Sequence, residues 1–266
     1  MPEYKTYDPS TYIHPYWIGD TVYNETVMFM NEDEVPLLFK ASKILSVRSS
    51  DLKAEFVEGV DYVLRDGKLL RLPSSTMPYM PKDVYYPENP APNHVCHCSV
   101  PGHPYLLWGD DVKLFEHQVH VTYVHDDAWT GLLPQKQDAF ARFCKKAAGG
   151  ERTTVLFYGD SITTGACSSK FIGCEPYADV ALVSTMIPHF RAAKYYGLQE
   201  QQEPVLSRLA SEYPNVGLIP MTSMYRYALN HKRDYDMNAN NINHPNDFAV
   251  RLYAQTTLSS LIGDRY

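Results

Sequence analysis

The stretch that most constrains the fold is residues 155–165, where Val155-Leu156-Phe157-Tyr158 run straight into Gly159-Asp160-Ser161. Four apolar residues read as a buried strand, Gly159 and Asp160 break it, and Ser161 falls at its carboxyl end. In an open parallel sheet, ligands bind outside the carboxyl ends of the strands. A serine on a sharp glycine-assisted turn at that point is placed as a nucleophile. The alternative is a Gly-Asp-Ser loop that only ends a strand, and the tripeptide alone leaves both open.

The residues that follow read as α/β. Val180-Ala181-Leu182-Val183 predicts a short strand, with a further strand over residues 216–219. Between them, Val205, Leu206, Leu209, Ala210 and Tyr213 fall on one face of a helix over 204–213. A closing helix is expected over 246–261, with Asn246 as its cap, Asp247 in its first turn, and Ala249, Leu252, Tyr253 and Thr256 facing inward.

The first half reads as β. Residues 21–30 alternate loosely, Asn31-Glu32-Asp33-Glu34 makes a polar turn, and residues 43–47 form a short apolar strand. Asp66-Gly67 between two β-prone runs (60–64 and 68–72) is a hairpin signal, because both turn positions require positive φ. The six prolines of residues 73–93 suggest an extended surface connection. Residues 116–124 alternate, with Val119, Val121 and Tyr123 on one face and His120 and Thr122 on the other. Short strands and turn signals suggest a β-sandwich. Ala139, Phe140, Phe143, Cys144 and Ala147 recur at helical spacing before Gly149-Gly150. The expected organisation is an N-terminal β-sandwich over 1–132, a linking helix over 133–150, and an α/β domain over 151–266.

A net charge of −7 argues against nucleic-acid and anionic-membrane partners. The N-terminal residues show no basic region leading into an apolar run, so no signal peptide is expected. Five scattered cysteines then suggest free thiols in a reducing cytoplasm. The 21 tyrosines suit a packed core first and a carbohydrate site second.

A second motif precedes the closing helix: Asn240-Asn241-Ile242-Asn243-His244-Pro245-Asn246-Asp247. A histidine on a loop fixed by Pro245 and a helix start can take a proton from a serine. It also reads as an ordinary surface histidine. The Ser161 block, the Asn-x-x-His-Pro-Asn-Asp block and the closing helix together resemble the SGNH, or GDSL-type, hydrolases. The resemblance is closest to members with an N-terminal β domain, and it covers residues 151–266. It implies a flavodoxin-like α/β/α fold and ester hydrolysis, often of acetyl groups on carbohydrates. It makes Ser161 the nucleophile and one oxyanion donor through its backbone N–H, and His244 the general base. Asn241 stands where the family usually carries an aspartate that orients the imidazole. An amide there can favour the wrong tautomer.

The family's glycine and asparagine blocks, which complete its oxyanion hole, have no counterpart between Ser161 and His244. Residues 167–177 resemble the family's segment after the first block, and residues 175–186 its fourth strand. The two overlap at Pro176-Tyr177, as if an internal deletion had joined them. A parallel crossover needs a dozen or more residues, usually a helix. Residues 165–179 contain two glycines, a proline and no helical period. A domain shortened near 175–180 must repack, take a second copy of the chain against its strand edges, or leave them exposed.

Cys96, His97 and Cys98, with His94 and His103, match no usual zinc spacing and read as loop or strand residues. His117, His120 and His125 read as polar strand and turn residues. No cofactor or metal is expected. Three functions follow: a serine esterase acting on small or carbohydrate acyl esters, an impaired homologue or deletion product, and a carbohydrate-binding protein working through its β domain.

Overall fold

The structure is a computed structural model and describes residues 9–92, 95–109, 114–154, 179–192 and 197–263. The strand expected at 154–158 and the Pro176-Tyr177 junction lie outside the described residues, apart from Thr154.

The described chain is a mixed α/β structure with several small sheets. In chain order its elements are α1 (Pro9–Tyr12), β1 (Thr21–Met28), β2 (Glu34–Val35), β3 (Ala41–Ser49), β4 (Glu55–Phe56), β5 (Tyr62–Arg65), β6 (Lys68–Arg71) and α2 (Lys82–Tyr85). There follow β7 (Val95–His97), β8 (Tyr105–Leu107), β9 (Gln118–His125), α3 (Ala141–Ala148), β10 (Val180–Val183), α4 (Gln202–Glu212), β11 (Val216–Ile219), α5 (Met221–Leu229) and α6 (Asp247–Ile262). One antiparallel sheet has the order β1-β9-β3-β4, a second β2-β6-β5, and β7 pairs with β8. The parallel pair β10-β11 is joined through α4.

β9 is the central strand of the largest sheet, and its alternation is read differently by the fold than by the sequence. Val119, Val121 and Tyr123 are buried as expected, but His120 and His125 on that strand are buried too. His125 stacks on Phe39 at 4.0 Å, and His120 faces Asp247 at the start of α6. Both faces of the strand are therefore covered, so polar residues there are not a solvated face.

β1 carries a bulge: its register against β9 shifts between Val22 and Glu25, and Asn24 takes a φ of +48°. A bulge turns its backbone groups out of the ladder. Here the carbonyls of Tyr23 and Asn24 accept from the guanidinium of Arg251, which also donates to Thr11 and Tyr12 carbonyls at 3.1 Å each. The same guanidinium lies over the rings of Tyr12 and Tyr16. This buried cation of α6 is thus hydrogen-bonded by backbone oxygens and binds the start of the chain to its last helix.

The Asp66-Gly67 hairpin forms as the sequence predicts: Arg65 pairs with Lys68, and the turn residues have φ of +52° and +79°. A Cβ on Gly67 would lie 2.8 Å from Lys40 Cβ, whereas Gly59, with φ +81°, has open space around it. Gly59→Ala is expected to cost only the backbone strain of about 1–2 kcal/mol. Gly67→Ala adds the Lys40 collision, so its melting temperature falls further than that of Gly59→Ala when the two are unfolded side by side.

The proline-rich segment is not confined to the surface. Met77, Met80, Tyr85 and Tyr86 are buried, and Tyr85 lies in α2. Between the prolines, Met77 joins the main core, while Met80, Tyr85 and Tyr86 fill a second core with Leu106, Tyr235 and Ile242.

In the second half the structure adds α5, whose Met221, Met224, Tyr225 and Ala228 follow the i, i+3, i+4, i+7 pattern and are buried. The linking segment is shorter in helix than its sequence suggests, with a 3-10 turn at Asp138–Phe140 leading into α3. Its start is extended because Gln137 is used as a piece of strand. The Gln137 amide donates to Leu218 O at 2.6 Å and accepts from Leu218 N at 2.9 Å, covering the edge of β11 away from β10. Phe140 packs over Gly217, where a Cβ would meet its ring at 2.3 Å. The main core joins the halves: Val27, Phe39, Val47 and Tyr123 cluster with Met221, Tyr225, Phe248 and Leu252. Among the described residues, no helix is long and apolar enough to cross a membrane.

Candidate active site

Ser161 lies outside the described residues. The structure places the other two expected site residues, His244 and Asn241, on the loop that enters α6.

That loop is fastened from within. Asn240 Oδ1 accepts from the backbone N–H of Ile242, Asn243 and His244, each at 3.0 Å. Ala239 N donates to His244 O at 2.8 Å, and Asn238 and Pro245 form an antiparallel bridge. Asn246 caps α6 through Ala249 N and donates its amide to Asp236 O at 2.8 Å. From β9, Gln118 donates to the carbonyls of Tyr235 and Asn238. The His244 backbone is therefore held by side-chain amides rather than by a regular ladder. A base on a preorganised backbone has little to rearrange when it acts.

Asn241 is oriented away from that task. Its φ is +68°, a conformation asparagine tolerates better than most residues. Its Oδ1 accepts from the Tyr85 hydroxyl at 2.8 Å, and its Nδ2 donates to Leu107 O at 2.9 Å. The chain of donors continues inward. His189 Nδ1 accepts from Arg191 N at 3.1 Å, so the neutral ring carries its proton on Nε2 and donates to Tyr85 at 2.8 Å. His189, Tyr85 and Asn241 thus form a directed buried relay that ends on a backbone carbonyl. Burial, and next the Arg191 charge, push the His189 pKa down to about 3, so its ring is neutral. This relay explains the amide at position 241: an ionised carboxylate would have no proton to offer Leu107 O.

The carboxyl ends of β10 and β11, where a ligand is expected in a parallel sheet, are filled by the chain itself. Glu203 of α4 accepts from Ser184 Oγ at 2.5 Å, from Ser223 N at 3.1 Å and from Ser223 Oγ. Ser184 Oγ in turn accepts from Thr222 N at 2.9 Å. The start of α5 already holds a carboxylate, which its dipole favours.

Open space lies on the other side of the loop. A cleft of about 800 Å³ is lined by Ala239, Pro245 and Asn246 of the loop, by Asp247, and by His120 and Phe115 among others. His244 is not one of its lining residues. The sequence singled out neither this cleft nor the Gln118, Tyr85 and His189 contacts, because each joins segments far apart in the chain, nor the Asn240 contacts, which lie within the loop.

His94 lies outside the described residues, and no group of three His, Cys, Asp or Glu among the described residues is placed to hold a metal ion. Cys96 and Cys98 are free thiols. Burial, and then the neighbouring Cys98, push the Cys96 thiol up to about 11. Comparison with known proteins finds no matching family, no matching curated protein and no matching solved structure.

Proposed function

We propose that the chain is a serine esterase of the SGNH type that hydrolyses acyl esters, with acetyl groups on small molecules or carbohydrates as the substrate class. The finer architecture that goes with this reading is an N-terminal β-sandwich followed by a shortened flavodoxin-like α/β/α domain. The observation that carries it is the His244 loop: a histidine on a backbone fixed by Asn240, directly before a closing helix capped by Asn246. The β10-α4-β11 crossover supports the same reading. In this mechanism His244 takes the proton of Ser161 Oγ as that oxygen attacks the ester carbonyl. The tetrahedral intermediate collapses to an acyl-serine, the alcohol leaves with the proton from the imidazolium, and water repeats the sequence to free the acid.

A second reading, an SGNH-derived chain with little turnover, is favoured by one observation. The Asn241 amide is committed to Tyr85 and Leu107, so it places no carboxylate behind the imidazole. Hydrolysis of 4-nitrophenyl acetate separates the two. The esterase reading expects turnover by the wild type and buffer background for Ser161→Ala and His244→Ala, a loss of roughly 10³-fold or more. Equal rates for all three proteins would remove the esterase assignment.

A further inference from the structure

The β7-β8 hairpin carries two cysteines on one face. Cys96 pairs with Leu106, and Cys98 N donates to Pro104 O at 3.1 Å, so the ladder continues past the end of β7. Residues two apart on a strand point to the same side. Burial follows that period: Cys96 and Cys98 are half-buried, while His97 and Ser99 are exposed. Both cysteines pack against the second core, which contains Met28 and Met80 and has Met30 at its margin. The other edge of the segment is held as well. Cys98 bridges Ala192, and Ser99 N donates to Arg191 O at 2.8 Å. The two thiols therefore sit on a backbone fixed along both edges, and each is open to solvent on one side.

Spacing decides what this pair does. Residues two apart on an extended strand are separated by about 6.6 Å, whereas a disulfide needs Cβ atoms about 3.5–4.5 Å apart. The fixed strand thus keeps the thiols from closing on each other. An ion shared between the sulfurs spans a wider gap: at the thiolate–metal bond of about 2.3 Å known from zinc sites, two sulfurs stand up to about 4.6 Å apart. Zinc itself takes four ligands, and among the described residues no third His, Cys, Asp or Glu joins the pair. Thiolates and thioethers are the soft ligands that suit Cu(I). The Val100 N–H points at Cys98 Sγ at 3.4 Å, a hydrogen bond that favours the charged sulfur. We propose that Cys96 and Cys98 form a two-thiolate site for Cu(I), seated on the methionine-bearing second core. Binding exchanges two S–H bonds for two S–Cu bonds and releases two protons to water. The copper is Cu(I) before and after, so no electron is transferred.

Alkylation of the reduced protein by iodoacetamide under nitrogen, read cysteine by cysteine from peptide masses, tests this on the wild type. A small excess of Cu(I), delivered as its acetonitrile complex, is expected to slow alkylation of Cys96 and of Cys98 at least tenfold. Cys144, half-buried on α3, is expected to change less than twofold. Zn(II) at the same concentration is expected to slow Cys96 and Cys98 less than twofold. In Cys96→Ser, Cu(I) is expected to protect Cys98 no longer, because one thiolate does not make the site. Unprotected Cys96 and Cys98 in the wild type would overturn the proposal, as would equal protection of Cys144. So would equal protection by Zn(II), or full protection of Cys98 in Cys96→Ser.

Discussion

Lys232→Met is expected to destabilise the protein by about 3–5 kcal/mol, a large share of the total for an ordinary domain. Lys232 and Glu25 are both fully buried and paired. The ammonium donates to Glu25 and to Thr26 O and sits 4.6 Å from the centre of the Phe248 ring. The carboxylate also accepts from Leu38 N at 2.9 and 3.1 Å, and from the Tyr123 hydroxyl at 2.7 Å. Both oxygens of the carboxylate are thus used, and the pair and its partners come from β1, the segment before β3, β9, the segment after α5, and α6. Methionine fills much of the space but leaves a buried carboxylate without its counter-charge. The double variant Glu25→Gln/Lys232→Met removes both charges and is expected to be less destabilised than the sum of the two single variants by about 1–3 kcal/mol. Urea unfolding of the four proteins measures this, and additivity within about 0.5 kcal/mol would mean that the charges do not act as a pair.

This pair also shows why part of the fold was legible in the sequence and part was not. The Asp66-Gly67 hairpin, β10, β11, α4 and the Asn246-capped α6 are encoded by local signals: a dipeptide that accepts positive φ, a short apolar run, a helical period, a capping side chain. Glu25 and Lys232 carry no such signal. Glu25 reads as a polar position on an alternating strand and Lys232 as part of a basic loop, and only the meeting of segments about 200 residues apart buries them. Arg251 is the same case on α6, where helical spacing placed a neighbour of the inner face but not a cation received by a β-bulge. The candidate site divides likewise. The place of His244 on a loop before a helix is legible in its motif, and Asn241 was singled out through the family resemblance, whereas the contacts of Asn241 depend on Tyr85, which lies in a segment whose prolines suggest only an exposed connection. The extended start of the linking segment was hidden because Gln137 acts as strand through its side chain, which periodicity does not report.

The second large effect concerns two buried groups whose pH dependences oppose each other. His189 is held down to about 3 from the ordinary 6.5 by burial and by Arg191, and Asp234 is pushed up to about 6 from 3.8, chiefly by burial. His189 Nδ1 and Asp234 Oδ2 lie 4.0 Å apart. Between pH 6.5 and 3 the unfolded chain binds a proton at position 189 that the folded protein refuses, so this group lowers stability as pH falls. Between pH 6 and 3.8 the folded protein binds a proton at Asp234 that the unfolded chain does not, so this group raises stability as pH falls. Each slope is about 1.4 kcal/mol per pH unit where it is fully developed, and in the wild type they offset across the shared range. Asp234→Asn removes one slope: relative to wild type, it is expected to lose about 2–3 kcal/mol between pH 6.5 and pH 4. His189→Gln, whose amide can still donate to Tyr85, removes the other and gains stability relative to wild type over the same interval. Denaturant unfolding of the three proteins at half-unit pH steps gives the two difference curves. Opposite slopes support the two opposed proton linkages, and two flat curves would show that neither proton is linked to folding.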